Sequence, residues 1–90
     1  MYALKYSKRF KKELKYYEHN DAVIVELEKV LNILASGNIL PVKYNNHQLL
    51  GNFNNFFECH IKSDVLLIYE IKKAEVIVML LRIGSHSKLF

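Results

Sequence analysis

The residues able to do chemistry in this chain gather in its last third: Glu58-Cys59-His60-Ile61, then Asp64, then Arg82-Ile83-Gly84-Ser85-His86, closing on Phe90. Two imidazoles, a carboxylate and a guanidinium suit acid–base chemistry on a phosphodiester. Histidine titrates near neutral pH and can take or give a proton, while a fixed guanidinium favours charge building on phosphorus. Spacing alone also admits ordinary roles. His60 and Asp64 flank a tight turn and can share a proton or one substrate, yet turn aspartates more often only cap the loop. Arg82 follows an apolar run, Val76 to Leu81, and there an arginine either snorkels into water or pairs with an anion. His86 lies on a polar tail, where histidines are usually inert, although the terminal Leu89-Phe90 argue that the tail packs down.

Other chemistries are poorly supplied. His47, His60, Asp64 and His86 are competent metal ligands, but the chain has neither CxxC nor HExxH, so no metal or other cofactor is expected. Cys59 alternates to the face opposite His60, towards the core, where a thiol is a small inert hydrophobe. The three glycines are isolated, leaving no phosphate-cradling loop. Phe53, Phe56, Phe57 and Tyr69 can stack bases, though large aromatics mostly fill cores.

Ninety residues, 51% of them hydrophobic, make one folded domain spanning 1–90. No apolar stretch is long enough to cross a membrane and the opening residues lack the apolar block of a secretion signal, so a cytoplasmic protein is expected. The single cysteine is compatible with a reducing compartment. Thirteen Lys and Arg against nine Asp and Glu give a net charge of +4. The excess is uneven: Lys5, Lys8, Arg9, Lys11, Lys12 and Lys15 face only Glu13 in the first fifteen residues. That is either a patch suited to phosphates or a solvated helix face.

Tyr2 to Tyr6 reads as a short strand and Ser7 as the cap of a helix whose Phe10, Leu14 and Tyr17 point inward. Glu18-His19-Asn20 ends it, and Asp21 caps a second helix running to about Ser36, with Leu27, Val30, Leu31 and Leu34 buried and Gly37 past its end. Between Asn38 and Asn55 the pattern dissolves into a long loop with His47 in its middle. Phe56 to Ile61, Val65 to Lys72 and Val76 to Ile83 are strands joined by connections short enough to force antiparallel pairing. The expectation is an α+β fold: two N-terminal helices packed on one face of a mostly antiparallel four-stranded sheet.

Four blocks in order, His47-Gln48-Leu49-Leu50-Gly51, Glu58-Cys59-His60-Ile61, Asp64-Val65-Leu66-Leu67-Ile68-Tyr69 and Arg82 to Phe90, resemble the RelE superfamily of bacterial type II toxins, and within it the YafQ-like ribonucleases. The opening Tyr6 to Leu14 resembles the same superfamily less specifically. The resemblance implies a metal-independent endoribonuclease that cuts ribosome-associated mRNA and is held inactive by a cognate antitoxin. The sheet face opposite the helices, together with the tail, would form its cleft. Position by position, His86 matches the proposed general acid, and His60 with Asp64 the pair handling the attacking 2′-hydroxyl. Arg82 matches the phosphate-binding arginine, His47 the loop histidine near the cut, and Phe90 a terminal aromatic that positions substrate and would anchor the tail. Lys8, Arg9 and Lys12 would add substrate contacts. The family often has Trp after the turn aspartate; here Val65 stands there, leaving base stacking to Phe53 or Phe56. Two rivals are a superfamily member that poisons a macromolecule such as gyrase by binding alone, and a plain RNA- or ribosome-binding module.

Overall fold

A computed structural model of the chain describes residues 1–49 and 56–90. Leu50 and Gly51 of the His47 block, and Phe53 among the candidate stacking rings, lie outside the described residues. Strand β1 (Ala3–Tyr6) leads into α1 (Lys8–Leu14), which tightens into a 3-10 turn over Lys15–Tyr17 before α2 (Asp21–Ser36). A 3-10 turn at Val42–Tyr44 precedes β2 (His47–Gln48), β3 (Phe56–Lys62) and β4 (Val65–Lys72). A third such turn, Lys73–Glu75, leads to β5 (Ile77–Gly84) and the short α3 (His86–Leu89). The sheet order is β1-β5-β4-β3-β2, with β1 parallel to β5 and the other pairs antiparallel.

Ser7 starts α1 as expected, its Oγ accepting from the Phe10 N–H at 2.9 Å. Asn20, not Asp21, caps α2: its Oδ1 accepts from the Val23 N–H at 3.3 Å. Asp21 is instead the first helical residue, where its charge meets the positive end of the helix dipole. Gly37 closes α2 at φ 80°, a left-handed position that glycine occupies without a Cβ penalty.

The core lies between the helices and one sheet face. Phe10, Tyr17, Val23, Leu27, Val30 and Leu34 meet Cys59, Leu67, Tyr69, Val78, Leu80 and Ile83 there. Burying one such large side chain contributes roughly 1.5–3 kcal/mol, more than is gained from an ion pair at the surface such as Lys29 with Glu26. Apolar packing therefore sets how the helices sit. As its double-sided apolar pattern required, β4 is central, with Leu66 to Tyr69 all buried.

Two departures from the sequence expectation concern the sheet edge and the tail. The sheet has five strands rather than four, because His47 and Gln48 pair with Glu58 and Phe57, and the Leu49 N–H continues the pairing to the Phe56 carbonyl at 2.9 Å. A two-residue strand is too short to show alternation, so the asparagine-rich segment reads as loop. The tail, for which the sequence offered no regular element, is helical. Leu89 and Phe90 donate their N–H groups to the Ser85 and His86 carbonyls, making α3 a third helix.

Candidate active site

On the sheet face away from the helices, the pairing register sets His47 beside Glu58, Glu58 beside Ile68 and Ile68 beside Arg82. The next row on that face is His60, Leu66 and Gly84. Such rows lie about 7 Å apart along the strands, with about 5 Å between strands. Buried Leu66 and Ile68 form an apolar floor between the polar groups.

Arg82 reaches this face through a bulge. Strict alternation from Leu80, which is buried against the helices, would aim Arg82 into the core. Instead Tyr69 pairs with Leu80 and Ile68 with Arg82, leaving Leu81 as an extra residue in β5. The extra residue shifts the phase, turning Arg82 outward and returning Ile83, 1% exposed, to the core.

Glu58 belongs to the polar series but was given no role by sequence reasoning, and it stands at the centre of this group. It is only 7% exposed, and its Oε1 stands 3.3 Å from His47 Nε2 and 3.9 Å from His60 Nε2. The other nitrogen of the His47 ring, Nδ1, is 3.1 Å from the Asn45 carbonyl. Both ring nitrogens of His47 thus face oxygen acceptors. The signal was alternation itself, since Glu58 shares its face with His60 two residues on. Beside His60 opens a polar pocket of about 290 Å³ lined by Lys43, Asn45, Lys62 and Ser63 among others.

Asp64 is turned towards the tail. Its Oδ1 accepts from the His86 N–H at 3.3 Å, which ties the β3–β4 turn to the first residue of α3. The tail is seated by Leu89, whose Cδ2 lies 3.3 Å from where a Cβ on Gly84 would be. Phe90 is not the anchor: it is 61% exposed, with its ring 5.2 Å from that of His86. Lys88 adds a contact to α1's continuation, its Nζ 4.5 Å from the Tyr16 ring centre.

The anion that meets Arg82 belongs to the protein. Glu13 of α1 accepts from Arg82 Nη2 at 2.6 Å and Nε at 3.2 Å. Of the candidate substrate cations, Arg9 stands 3.8 Å from Glu13, while Lys8 and Lys12 are exposed on α1. Cys59 is fully buried, and burial, with the nearby Glu58 charge, pushes its thiol up to about 12. It is no nucleophile at neutral pH. Among the described residues, no three His, Cys, Asp or Glu side chains form a group placed to hold a metal ion.

Two helices on one face of a five-stranded sheet, with histidines and carboxylates on the other, define a RelE-like toxin domain. Residues 2–90 match the family of bacterial toxins of type II toxin-antitoxin systems, YafQ, and the chain belongs to that family. A curated relative, the mRNA interferase toxin YafQ of Escherichia coli strain K12, is 25% identical over 88 residues, spanning 97% of this chain and 94% of its own. The crystal structure of a metal-bound toxin from Helicobacter pylori is 44% identical, with complete coverage of both chains and a TM-score of 0.90. The toxin fold also matches a chain of the E. coli DinJ–YafQ complex, at 24% identity, TM-score 0.88, and coverage of 100% of this chain and 99% of that one.

Proposed function

We propose that this chain is an mRNA interferase: an endoribonuclease that cuts mRNA, on the ribosome, by attack of a ribose 2′-hydroxyl on the adjacent phosphorus. His60 and Asp64 serve the side of the attacking hydroxyl, which must lose a proton. His86 gives a proton to the departing 5′-oxygen, and Arg82 meets the charge on the phosphorane. Protein side chains supply base, acid and cation, so the scheme calls on no metal. His47 supports His60 through Glu58, and Phe90 stacks on substrate beside His86.

The observation that carries this reading is the bond from the His86 N–H to Asp64. It brings the tail histidine to the turn that begins three residues past His60, with Arg82 one row behind. Shared family membership and the names of the E. coli relatives support the substrate class. A cognate antitoxin is the expected partner, as DinJ is for the E. coli relative.

The test is cleavage of a defined message, ribosome-bound and free, by the protein freed of its antitoxin. Wild type is expected to leave 2′,3′-cyclic phosphate and 5′-hydroxyl ends. His60→Ala and His86→Ala are each expected to lose on the order of 10²–10⁴ in rate. Intact message with wild type and both variants alike would sink the proposal, and growth arrest without RNA cleavage would mark a binding poison instead.

A further inference from the structure

We infer that Glu13 is a positioning residue for Arg82, holding its guanidinium edge-on so that the opposite edge is presented to the scissile phosphate. The inference rests on the phosphate role proposed above for Arg82.

Strand β1 pairs with β5 only as far as Tyr6 opposite Leu80. Beyond that point no strand among the described residues lies beside this edge of β5, and α1 takes over with side chains. Ser7 Oγ donates to the Leu81 carbonyl at 2.8 Å, and Glu13 Oε1 accepts from the Ile83 N–H at 3.1 Å. The helix therefore holds the backbone on both sides of Arg82, at the bulge that turns this residue outward.

Glu13 does more than cap that edge. Oε1, which takes the Ile83 N–H, also stands 3.5 Å from Arg82 Nε, while Oε2 takes Arg82 Nη2 at 2.6 Å and Nε at 3.2 Å. A guanidinium carries five N–H donors in a rigid plane. Two are used here, so both hydrogens on Nη1 and one on Nη2 remain, which matches the two-oxygen face of a phosphate. The carboxylate is itself well seated, its side chain 20% exposed. Arg9, 3.8 Å from Glu13 and 67% exposed, supplies a second cation, so the cluster keeps a net positive charge towards an anionic substrate. A surface arginine without such a clamp would spread its long side chain over many rotamers, and fixing it at the moment of reaction would cost rate.

Steady-state cleavage of a single-site RNA by wild type, Glu13→Gln, Arg82→Ala and the double variant tests this. Glu13→Gln is expected to lower kcat by about 10-fold or more with KM changed less than about twofold, and to add nothing further in the Arg82→Ala background. A residue serving only the fold would add its loss in both backgrounds. In NMR, the Arg82 Nε–H signal should be resolved and slow to exchange in wild type and lost in Glu13→Gln. Wild-type kinetics for Glu13→Gln beside a crippled Arg82→Ala would overturn this inference alone, as would faster cleavage by Glu13→Gln, which would make Glu13 a competitor of phosphate. Full activity of Arg82→Ala would remove the phosphate role on which the inference stands.

Discussion

Asp64 and His86 are joined across 22 positions of sequence by one hydrogen bond, carboxylate to backbone N–H, at 3.3 Å. The helix that follows has four residues, too few to hold itself in water, so the position of the His86 ring depends on this bond and on Leu89. Asn at position 64 keeps an oxygen acceptor for the N–H; Ala keeps nothing. Asp64→Ala is expected to slow cleavage by about 100-fold or more and Asp64→Asn by about 10-fold, the difference reporting the tail bond and the remainder the charge. Hydrogen exchange at the His86 amide checks the assignment independently: it should quicken in Asp64→Ala and stay near wild type in Asp64→Asn.

Glu58 sits between His47 and His60 with almost no access to water. A buried carboxylate is expensive to desolvate, and the His47 and His60 side chains that it faces are themselves 50% and 32% exposed, so replacing Glu58 alone by an apolar residue of similar volume leaves no buried charge behind. Glu58→Leu should therefore melt at the wild-type temperature or above, by up to about 1 kcal/mol, while both imidazoles lose the group that orients them. Cleavage is expected to fall by about 10-fold or more, as for other orienting carboxylates. Calorimetry and cleavage kinetics on the same preparation decide it; a destabilised protein with full activity would refute the placement.

The helices, their buried faces, the central β4 and the inward Cys59 were legible in the sequence because each follows from a period, a cap or an apolar run longer than a few residues. The histidines, Asp64 and Arg82 were legible as residue types. What they touch was not. Nothing in the order of residues shows that Leu81 is the extra residue of a bulge, although without one Arg82 would be aimed into the core. Nor does anything local link Glu13 to Arg82, 69 positions apart. Glu58 was visible beside His60, but its burial depends on β2, a pairing of two residues hidden in a segment that reads as loop. Phe90 was expected to anchor the tail because the resemblance sets a substrate-positioning aromatic there; Leu89 holds that place because α3 turns Phe90 outward.

Burial makes the protein sensitive to alkali. Cys59 is raised from an ordinary 9.0 to about 12, chiefly by burial, and Tyr17, Tyr44 and Tyr69 are raised above 10.0, each with burial as the largest cause. A group whose pKa is raised on folding binds more protons folded than unfolded, so its contribution is complete below the unfolded value and disappears as pH rises through the folded one. Stability should hold to about pH 9 and then fall steadily towards pH 12. Urea unfolding across that range measures the slope, and Cys59→Ala should be less steep, whatever its stability at neutral pH. A thiol reagent at pH 8 should modify Cys59 in urea and spare it in the folded protein.

Leu89 and Phe90 are neighbours with separable roles. Leu89 packs over Gly84, at the end of β5; Phe90 is 61% exposed, and its ring lies 5.2 Å from that of the tail's own His86. Truncating Leu89 should release α3 from the sheet while leaving the core between helices and sheet intact. Leu89→Ala is expected to cost about 1 kcal/mol, a drop of roughly 4–8 °C in Tm for a domain of this size, and to lower kcat by about 10-fold because His86 is no longer held. Phe90→Ala leaves that packing in place and removes a ring available to stack on a base, a contact worth roughly 1–3 kcal/mol. Its Tm should be unchanged, and its effect should appear as a rise in KM, with kcat within about twofold of wild type. A kcat loss in Phe90→Ala equal to that of Leu89→Ala would show that the terminal ring, and not Leu89, sets the position of His86.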